Sequence, residues 1–151
     1  MYNSEVNNIR DSIKVPSLLL QSLMRADHAF EARLETALDL NGLSIAKFGV
    51  LRELAQGGEP MPLGQLAERL ACVKSNITQL VDRLEAEGLV RRVPDAEDRR
   101  STRAEITEEG LKRYEIGLKA QLEFEEDMIS SLSPDERLQL AAMLDKLIAR
   151  V

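Results

Sequence analysis

Several residue types are scarce in this chain of 151 residues. It has one cysteine, Cys72, so no disulfide can form within the chain, and a reducing, cytoplasmic location is expected. The one histidine, His28, cannot build a histidine metal cluster, and no cysteine or carboxylate spacing indicates a metal site. No nucleophile has a base to activate it. We therefore expect no cofactor, no metal and no enzymatic activity.

Aromatic residues make up 3% of the chain and tryptophan is absent, so the core must be built from Leu, Ala, Val, Ile and Met, which suits helices. No apolar run approaches the roughly 20 residues that cross a bilayer. The start, "MYNSEVNNIRDSIKVPS", has no apolar signal core. At 44% hydrophobic residues, the composition is typical of one globular, soluble domain with no membrane partner.

Apolar residues recur at three- and four-residue spacing from 15 to 40, which predicts a first helix ending at residues 41–42, Asn-Gly. Ser44 is a candidate N-cap for a second helix, and the glycines at 57–58 end it. The prolines of "EPMPLGQLAERLA" permit at most a short edge strand before a third helix. A brief turn at 72–73 joins this helix to a fourth, which indicates a helix-turn-helix.

The pattern then changes. Residues 89–93 and 102–107 are compatible with two strands around the polar stretch "PDAEDRRS", which predicts a hairpin with a long tip. Thr107 can cap a fifth helix, and "SPDE" at 133–136 is a capping box for a sixth.

A helix-turn-helix followed by a charged hairpin is a winged helix. The predicted fold class is therefore mainly α with a small β-hairpin, in a single domain. It comprises a winged helix-turn-helix DNA-binding lobe over 44–110 and a helical dimerisation region over 15–40 and 111–151. The apolar stripes of the first and sixth helices are long for a monomer of this size to cover, which favours a dimer interface over a monomer core.

The charge distribution indicates the partner. The whole chain has formal net charge -6, yet five arginines and three acids lie between Leu89 and Arg103. Phosphate binding needs only a local basic surface, so double-stranded DNA is the expected partner. The fourth helix adds polar groups suited to base edges or phosphates, although a polar helix face can also be merely solvated. These candidate DNA-binding residues are Lys74, Ser75, Asn76, Thr78, Gln79 and Arg83.

The stretch "SNITQLVDRLEAEGLVRRVPDAEDRRSTRAEITEEG", residues 75–110, resembles the recognition helix and wing of MarR-type bacterial transcriptional regulators. Its most specific part is "DRR" followed by a strand and the "ITEEG" helix start. The resemblance implies that Arg100 enters a minor groove and that Asp98 orients it. Arg99 then lies near phosphate or in a wing salt-bridge network, while phosphate contact and solvation are both open for Arg91 and Arg92.

The resemblance further implies a homodimer whose first, fifth and sixth helices interlock, with each recognition helix in a major groove of a pseudo-palindromic operator. Two departures stand out. Pro62 occupies the cap of the third helix, where the family often has Ser or Thr, at a cost of about 1 kcal/mol. The tryptophan of urate-responsive members is absent.

The resemblance also implies a small aromatic or phenolic effector, bound between the dimer helices and the DNA-binding lobe. Candidate ligand-binding residues are Arg25, His28, Phe48 and Arg52, with a surface or interface histidine as the alternative for His28. Cys72 precedes the recognition helix near Lys74, a setting that favours thiolate and oxidation, although a lone cysteine in a turn is more often a small buried residue.

The expected function is that of a dimeric, sequence-specific DNA-binding transcriptional regulator, a repressor released by a small ligand or an oxidant. The alternative is a winged-helix protein-interaction adaptor that does not bind DNA.

Overall fold

The structure, a computed structural model, describes the backbone of residues 2–71, 74–95 and 102–149, and side chains from residue 17 onward except those of residues 74 and 75. The described residues form six helices and a three-stranded sheet. The elements are α1 (Tyr2–Asp39), α2 (Ile45–Gly57), β1 (Met61–Pro62), α3 (Leu63–Arg69), α4 (Lys74–Ala86), β2 (Val90–Pro94), β3 (Thr102–Ile106), α5 (Glu108–Ile129) and α6 (Pro134–Ile148). The predicted fold class, mainly α with a small β-hairpin, is confirmed.

The chain divides into two compact units, residues 1–34 and 35–151. The first unit is the greater part of α1. The second contains the end of α1 and every other helix and strand.

The predicted start of the first helix is wrong by more than three turns, because α1 begins at Tyr2 and not near Val15. The apolar periodicity begins only at Val15, and Pro16 is a residue type expected in a first turn, since proline in a helix interior costs about 3 kcal/mol. In the structure Pro16 nonetheless lies within the helix.

The other helix ends follow from local chemistry, and the predicted caps are confirmed. Ser44 accepts a hydrogen bond from the backbone N–H of Lys47 at 3.2 Å, and Gly58 ends α2 with a φ of 70°. Thr107 caps α5 in the same way, and Ser133 caps α6 through a complete capping box. Pro62 makes no side-chain cap hydrogen bond at α3, so the departure noted in the sequence is present in the fold.

The hairpin is also confirmed, and β1 adds an edge strand to it. The antiparallel sheet has the order β1-β3-β2. Ala104 stands at its centre, opposite Met61 on one side and Arg92 on the other, and it is fully buried.

The core of the second unit fixes α4 and the sheet together. Ile77, Val81 and Leu84, the apolar side of α4, are each 0% exposed. They belong to a set of fully buried side chains drawn from most elements of the unit. Other members are Leu38, Leu43, Val50, Leu51, Leu54, Leu66, Leu89 and Val90.

A second part of this core joins α5 to α2. The ring of Phe48 stacks on that of Tyr114, with centroids 5.7 Å apart. A Cβ at Gly117 would lie 2.7 Å from a carbon of the Phe48 ring. Helix α5 therefore packs closely on α2 because position 117 has no side chain.

None of the described helices combines the length and the hydrophobicity that crossing a bilayer requires.

Candidate nucleic-acid interface

Helix α4 has a buried side and an exposed polar side. Because Ile77, Val81 and Leu84 point into the core, the intervening positions point outward. The polar side chains there are exposed, and we call them the reading face: Asn76, Thr78, Gln79 and Arg83. Their amide, hydroxyl and guanidinium groups match the donors and acceptors of base edges and phosphates.

Three residues of the reading face share one side of the helix. Asn76, Gln79 and Arg83 line a shallow depression together with Ala46, at the start of α2. Arg83 takes part in no salt bridge with the residues that the structure describes, so its charge is available to a ligand. Lys74 and Ser75 belong to the first turn of α4 by their backbone, which places them at its positively polarised end.

The distal end of α4 is tied to the rest of the lobe. The ammonium group of Lys47 on α2 lies 2.6 Å from a carboxylate oxygen of Glu87. Gly88 follows with a φ of 72°, and its carbonyl accepts a hydrogen bond from the Thr107 hydroxyl at 2.7 Å. The same threonine that caps α5 therefore holds the turn between α4 and the wing.

The predicted wing tip lies outside the described residues. This applies to Asp98, Arg99 and Arg100, and likewise to Cys72 in the turn before α4. The roles given to these residues from the sequence stay predictions.

Arg91 is paired across the sheet. It stands opposite Glu105 in the register of β2 and β3, and the two side chains form a salt bridge. The hydrogen bond from Arg91 lowers the pKa of the Glu105 carboxyl below its ordinary value. The pair is exposed, so it balances charge on the wing surface and contributes little to stability.

Arg92 joins the wing to α4, a role that the sequence analysis missed. Its Nη2 lies 2.6 Å from a carboxylate oxygen of Asp82, and its Nη1 lies 2.6 Å from one of Glu85. Desolvation opposes the charged form of Arg92, but the hydrogen bonds to both acids outweigh it and raise its pKa. The signal was present as two acids three residues apart on one helix just before an arginine-bearing strand.

Arg103 forms the third arginine–carboxylate pair. Its Nε and Nη2 donate to the two oxygens of Asp95, at 2.9 Å and 3.2 Å, and its Nη1 donates to the Pro60 carbonyl at 3.5 Å. The family resemblance implies an arginine-orienting acid in the wing at Asp98. Asp95 is a further acid of this kind, and it braces Arg103.

The candidate effector residues lie in different settings. Arg25 and His28 are on α1 in the first unit, where they line a shallow depression with Met24. Phe48 is a core residue of the second unit, while the half-buried Arg52 lies 3.8 Å from Glu53. An effector site built from these residues stays a prediction. Among the described residues, no group of His, Cys, Asp and Glu is placed to hold a metal ion.

Comparison with known proteins agrees with this geometry. A family profile described as "MarR family" matches residues 41–101, from the end of α1 into the wing. The transcriptional regulator PecS of Dickeya dadantii is 30% identical over 133 residues, which cover 87% of this chain and 80% of PecS. The transcriptional repressor MdtR of Bacillus subtilis is 30% identical over 111 residues, which cover 74% of this chain and 71% of MdtR.

Solved structures give the same result. The transcriptional regulator BldR of Sulfolobus solfataricus is 29% identical and superposes with a TM-score of 0.73, covering 92% of this chain and 98% of BldR. The recognition helix α4 packs its apolar side into the core, the wing adjoins it, and the relatives are transcriptional regulators. The chain therefore belongs to the MarR family and is a DNA-binding winged helix-turn-helix transcription regulator.

Proposed function

We propose that this regulator is a homodimeric repressor that binds a pseudo-palindromic operator, with one α4 per protomer in a major groove. The observation that carries the proposal is the construction of α4. Its apolar side is fully buried, and its reading face projects polar groups beside the β2–β3 wing. Asn76 and Gln79 suit adenine edges, and Arg83 suits guanine or phosphate.

Residues at both ends of this surface complete the contact. Lys74 and Ser75, in the first turn of α4, approach phosphates or bases with the helix N-terminus. On the wing, Arg100 enters the flanking minor groove and Asp98 orients it, while Arg99 lies near phosphate. The pairing of Asp95 with Arg103 supports this use of the wing, because it shows that an acid of the same stretch can brace an arginine.

Uncovered apolar side chains support the dimer. Helix α6 has no buried residue, and most of its large apolar side chains are exposed in the single chain. Helix α5 adds further exposed apolar residues, and so, in the first unit, does α1. A second copy would remove these faces from water, which is the main driving force for obligate association. The residues concerned include Leu18, Leu19, Met24, Leu111, Leu122, Leu138, Met143 and Leu147.

Repression and its release form the finer part of the proposal. The relative MdtR is named a repressor, which favours the same direction of control here. A small aromatic or phenolic effector, or oxidation of Cys72, would favour a dimer whose recognition helices no longer match the operator. Such a change releases DNA only to the extent that the effector binds the two states with different affinity.

Selection of binding sites from a random duplex pool with the purified protein tests the proposal. We expect enrichment of a pseudo-palindrome with half-sites about one helical turn, roughly 34 Å, apart. Enrichment of a single, unrepeated site would contradict the dimeric arrangement. Failure to enrich any sequence would favour the alternative, a winged-helix protein-interaction adaptor.

A further inference from the structure

The guanidinium of Arg92 contacts three acceptors on α4, and two of them are carboxylates. One terminal nitrogen binds Asp82 and the other binds Glu85, each at 2.6 Å, and the first of them also reaches the carbonyl of Thr78 at 3.4 Å. The backbone N–H of Arg92 donates to the second oxygen of Glu85 at 3.0 Å. With 24% of its side chain exposed, Arg92 has little surface left for a phosphate.

The two acids lie where they would hinder DNA binding. Asp82 and Glu85 project from the exposed side of α4, with side chains 56% and 39% exposed. Asp82 directly precedes Arg83 of the reading face, and Glu85 follows it two residues later. Carboxylates at this place, if unpaired, would repel the phosphates that α4 must approach, since like charges brought together at an interface cost several kcal/mol.

We propose that Arg92 is a positioning residue whose charge neutralises Asp82 and Glu85 and so permits α4 to approach DNA. In this role the guanidinium of Arg92 does not itself bind a DNA phosphate. Since the same contacts join β2 to α4, Arg92 also fixes the wing against the recognition helix. The inference rests on the proposed use of α4 and the wing as the DNA interface.

A thermodynamic cycle separates this role from a direct phosphate contact. The four proteins are the parent, Arg92→Gln, the double variant Asp82→Asn with Glu85→Gln, and the triple variant. Affinity is measured by fluorescence anisotropy on one duplex selected with the parent protein. Groups in contact show coupling in such a cycle, whereas independent groups give additive effects.

The neutralising role predicts strong coupling. Arg92→Gln should lower affinity about tenfold by exposing two carboxylates to DNA. Removing the acids should change the affinity of the parent less than about threefold, because they are already neutralised, but should recover most of the loss in the Arg92→Gln background. Equal effects of acid removal in both backgrounds, or a triple variant no tighter than Arg92→Gln, would overturn the inference.

Arg83→Gln is the matched control, since Arg83 lies on the same helix without a salt bridge to the described residues. Its loss of affinity should not be recovered by removing Asp82 and Glu85. If it is recovered equally, the rescue is a general charge effect and the inference fails.

Two further measurements separate a loss of DNA affinity from a failure to fold. Circular dichroism melting shows whether each variant folds, and Arg92→Lys takes the place of Arg92→Gln if the latter does not. Lysine keeps the charge, so its affinity should stay within about threefold of the parent, and a tenfold loss would contradict neutralisation. Absence of salt-dependent binding by the parent itself would contradict the proposed interface, whereas normal parent binding without rescue contradicts the role of Arg92 alone.

Discussion

The guanidinium of Arg103 holds the carboxylate of Asp95 in a two-point contact, with donor–acceptor distances of 2.9 Å and 3.2 Å. Asp95 follows β2 directly and is 8% exposed, the one buried charged residue among those that the structure describes. Arg103 belongs to β3 and also reaches Pro60 before β1. The Asp95–Arg103 pair therefore links the end of β2 to β3, and Arg103 extends the link to the backbone just before the edge strand β1.

Replacing Asp95 with Asn should destabilise the lobe. The change removes the charge of the acceptor in this two-point contact, and we expect a loss of about 1–3 kcal/mol in the free energy of unfolding, measured in urea. Glu105→Gln is the control, because it breaks the exposed pair with Arg91 in the same sheet and should cost less. Equal losses in the two variants would show that burial of Asp95 is not what gives the contact its strength.

Gly110 should not tolerate a side chain. A Cβ there would overlap the backbone carbonyl oxygen of Leu89 and lie 2.8 Å from a side-chain carbon of Ile106. Backbone cannot move as a side-chain tip can, so Gly110→Ala should lower stability by about 1–3 kcal/mol, seen as a lower urea midpoint at unchanged slope.

Gly49→Ala is the comparison for this prediction. Its Cβ would lie 3.3 Å from the end of the Leu70 side chain, which can shift, and alanine favours the helix by up to about 1 kcal/mol. A Gly49→Ala protein less stable than Gly110→Ala would contradict the close packing of α5 on the start of β2.

Charges on α6 should disrupt the proposed dimer. Met143 and Leu147 lie one turn apart and are 56% and 45% exposed in the single chain. The double variant Met143→Glu with Leu147→Glu should shift the mass measured by light scattering from two chains toward one, because two carboxylates cannot be buried unpaired.

The exposed Lys119 on α5 supplies the control for the dimer. Lys119→Glu adds the same total negative charge and breaks only an exposed contact of 3.9 Å with Glu123. We expect its mass to stay that of the parent. If it dissociates as readily as the α6 variant, net charge and not the apolar face controls assembly.

Gln79→Ala should relax sequence preference. Gln79 is exposed on the reading face, and a glutamine–adenine pair discriminates against a wrong base by about 1–3 kcal/mol. The selected operator and single-base variants of it should therefore differ less in affinity for Gln79→Ala than for the parent. Arg83→Ala provides the contrast if it contacts phosphate, since binding should then weaken on all sequences alike. Undiminished discrimination by Gln79→Ala would remove Gln79 from the base-reading role.

Features set by neighbouring residues were predictable from the sequence. The caps at Ser44, Thr107 and Ser133 and the end of α2 at Gly58 depend on a few adjacent residues, and all were located correctly. The start of α1 was not, because Pro16 resembles a first-turn residue and the preceding turns lack an apolar stripe.

Features set by the packing of separate elements were not predictable. The spacing of Asp82 and Glu85 ahead of β2 marks them as candidate partners of Arg92. Whether Arg92 in fact faces them, a phosphate or water depends on the angle at which β2 leaves α4, which the spacing does not determine. The same holds for Phe48, whose stacking on Tyr114 depends on how closely α5 approaches α2 at Gly117.

The salt dependence of binding to the selected duplex tests the central claim, that α4 and the wing together form an interface to DNA phosphates and bases. Contact with six to ten phosphates predicts that the logarithm of the binding constant falls against the logarithm of salt concentration with a slope of about -5 to -9. We expect a slope in this range for the parent and, for Arg100→Ala, weaker binding with a shallower slope by about one unit and an intact dimer. A slope near zero for the parent would contradict the account.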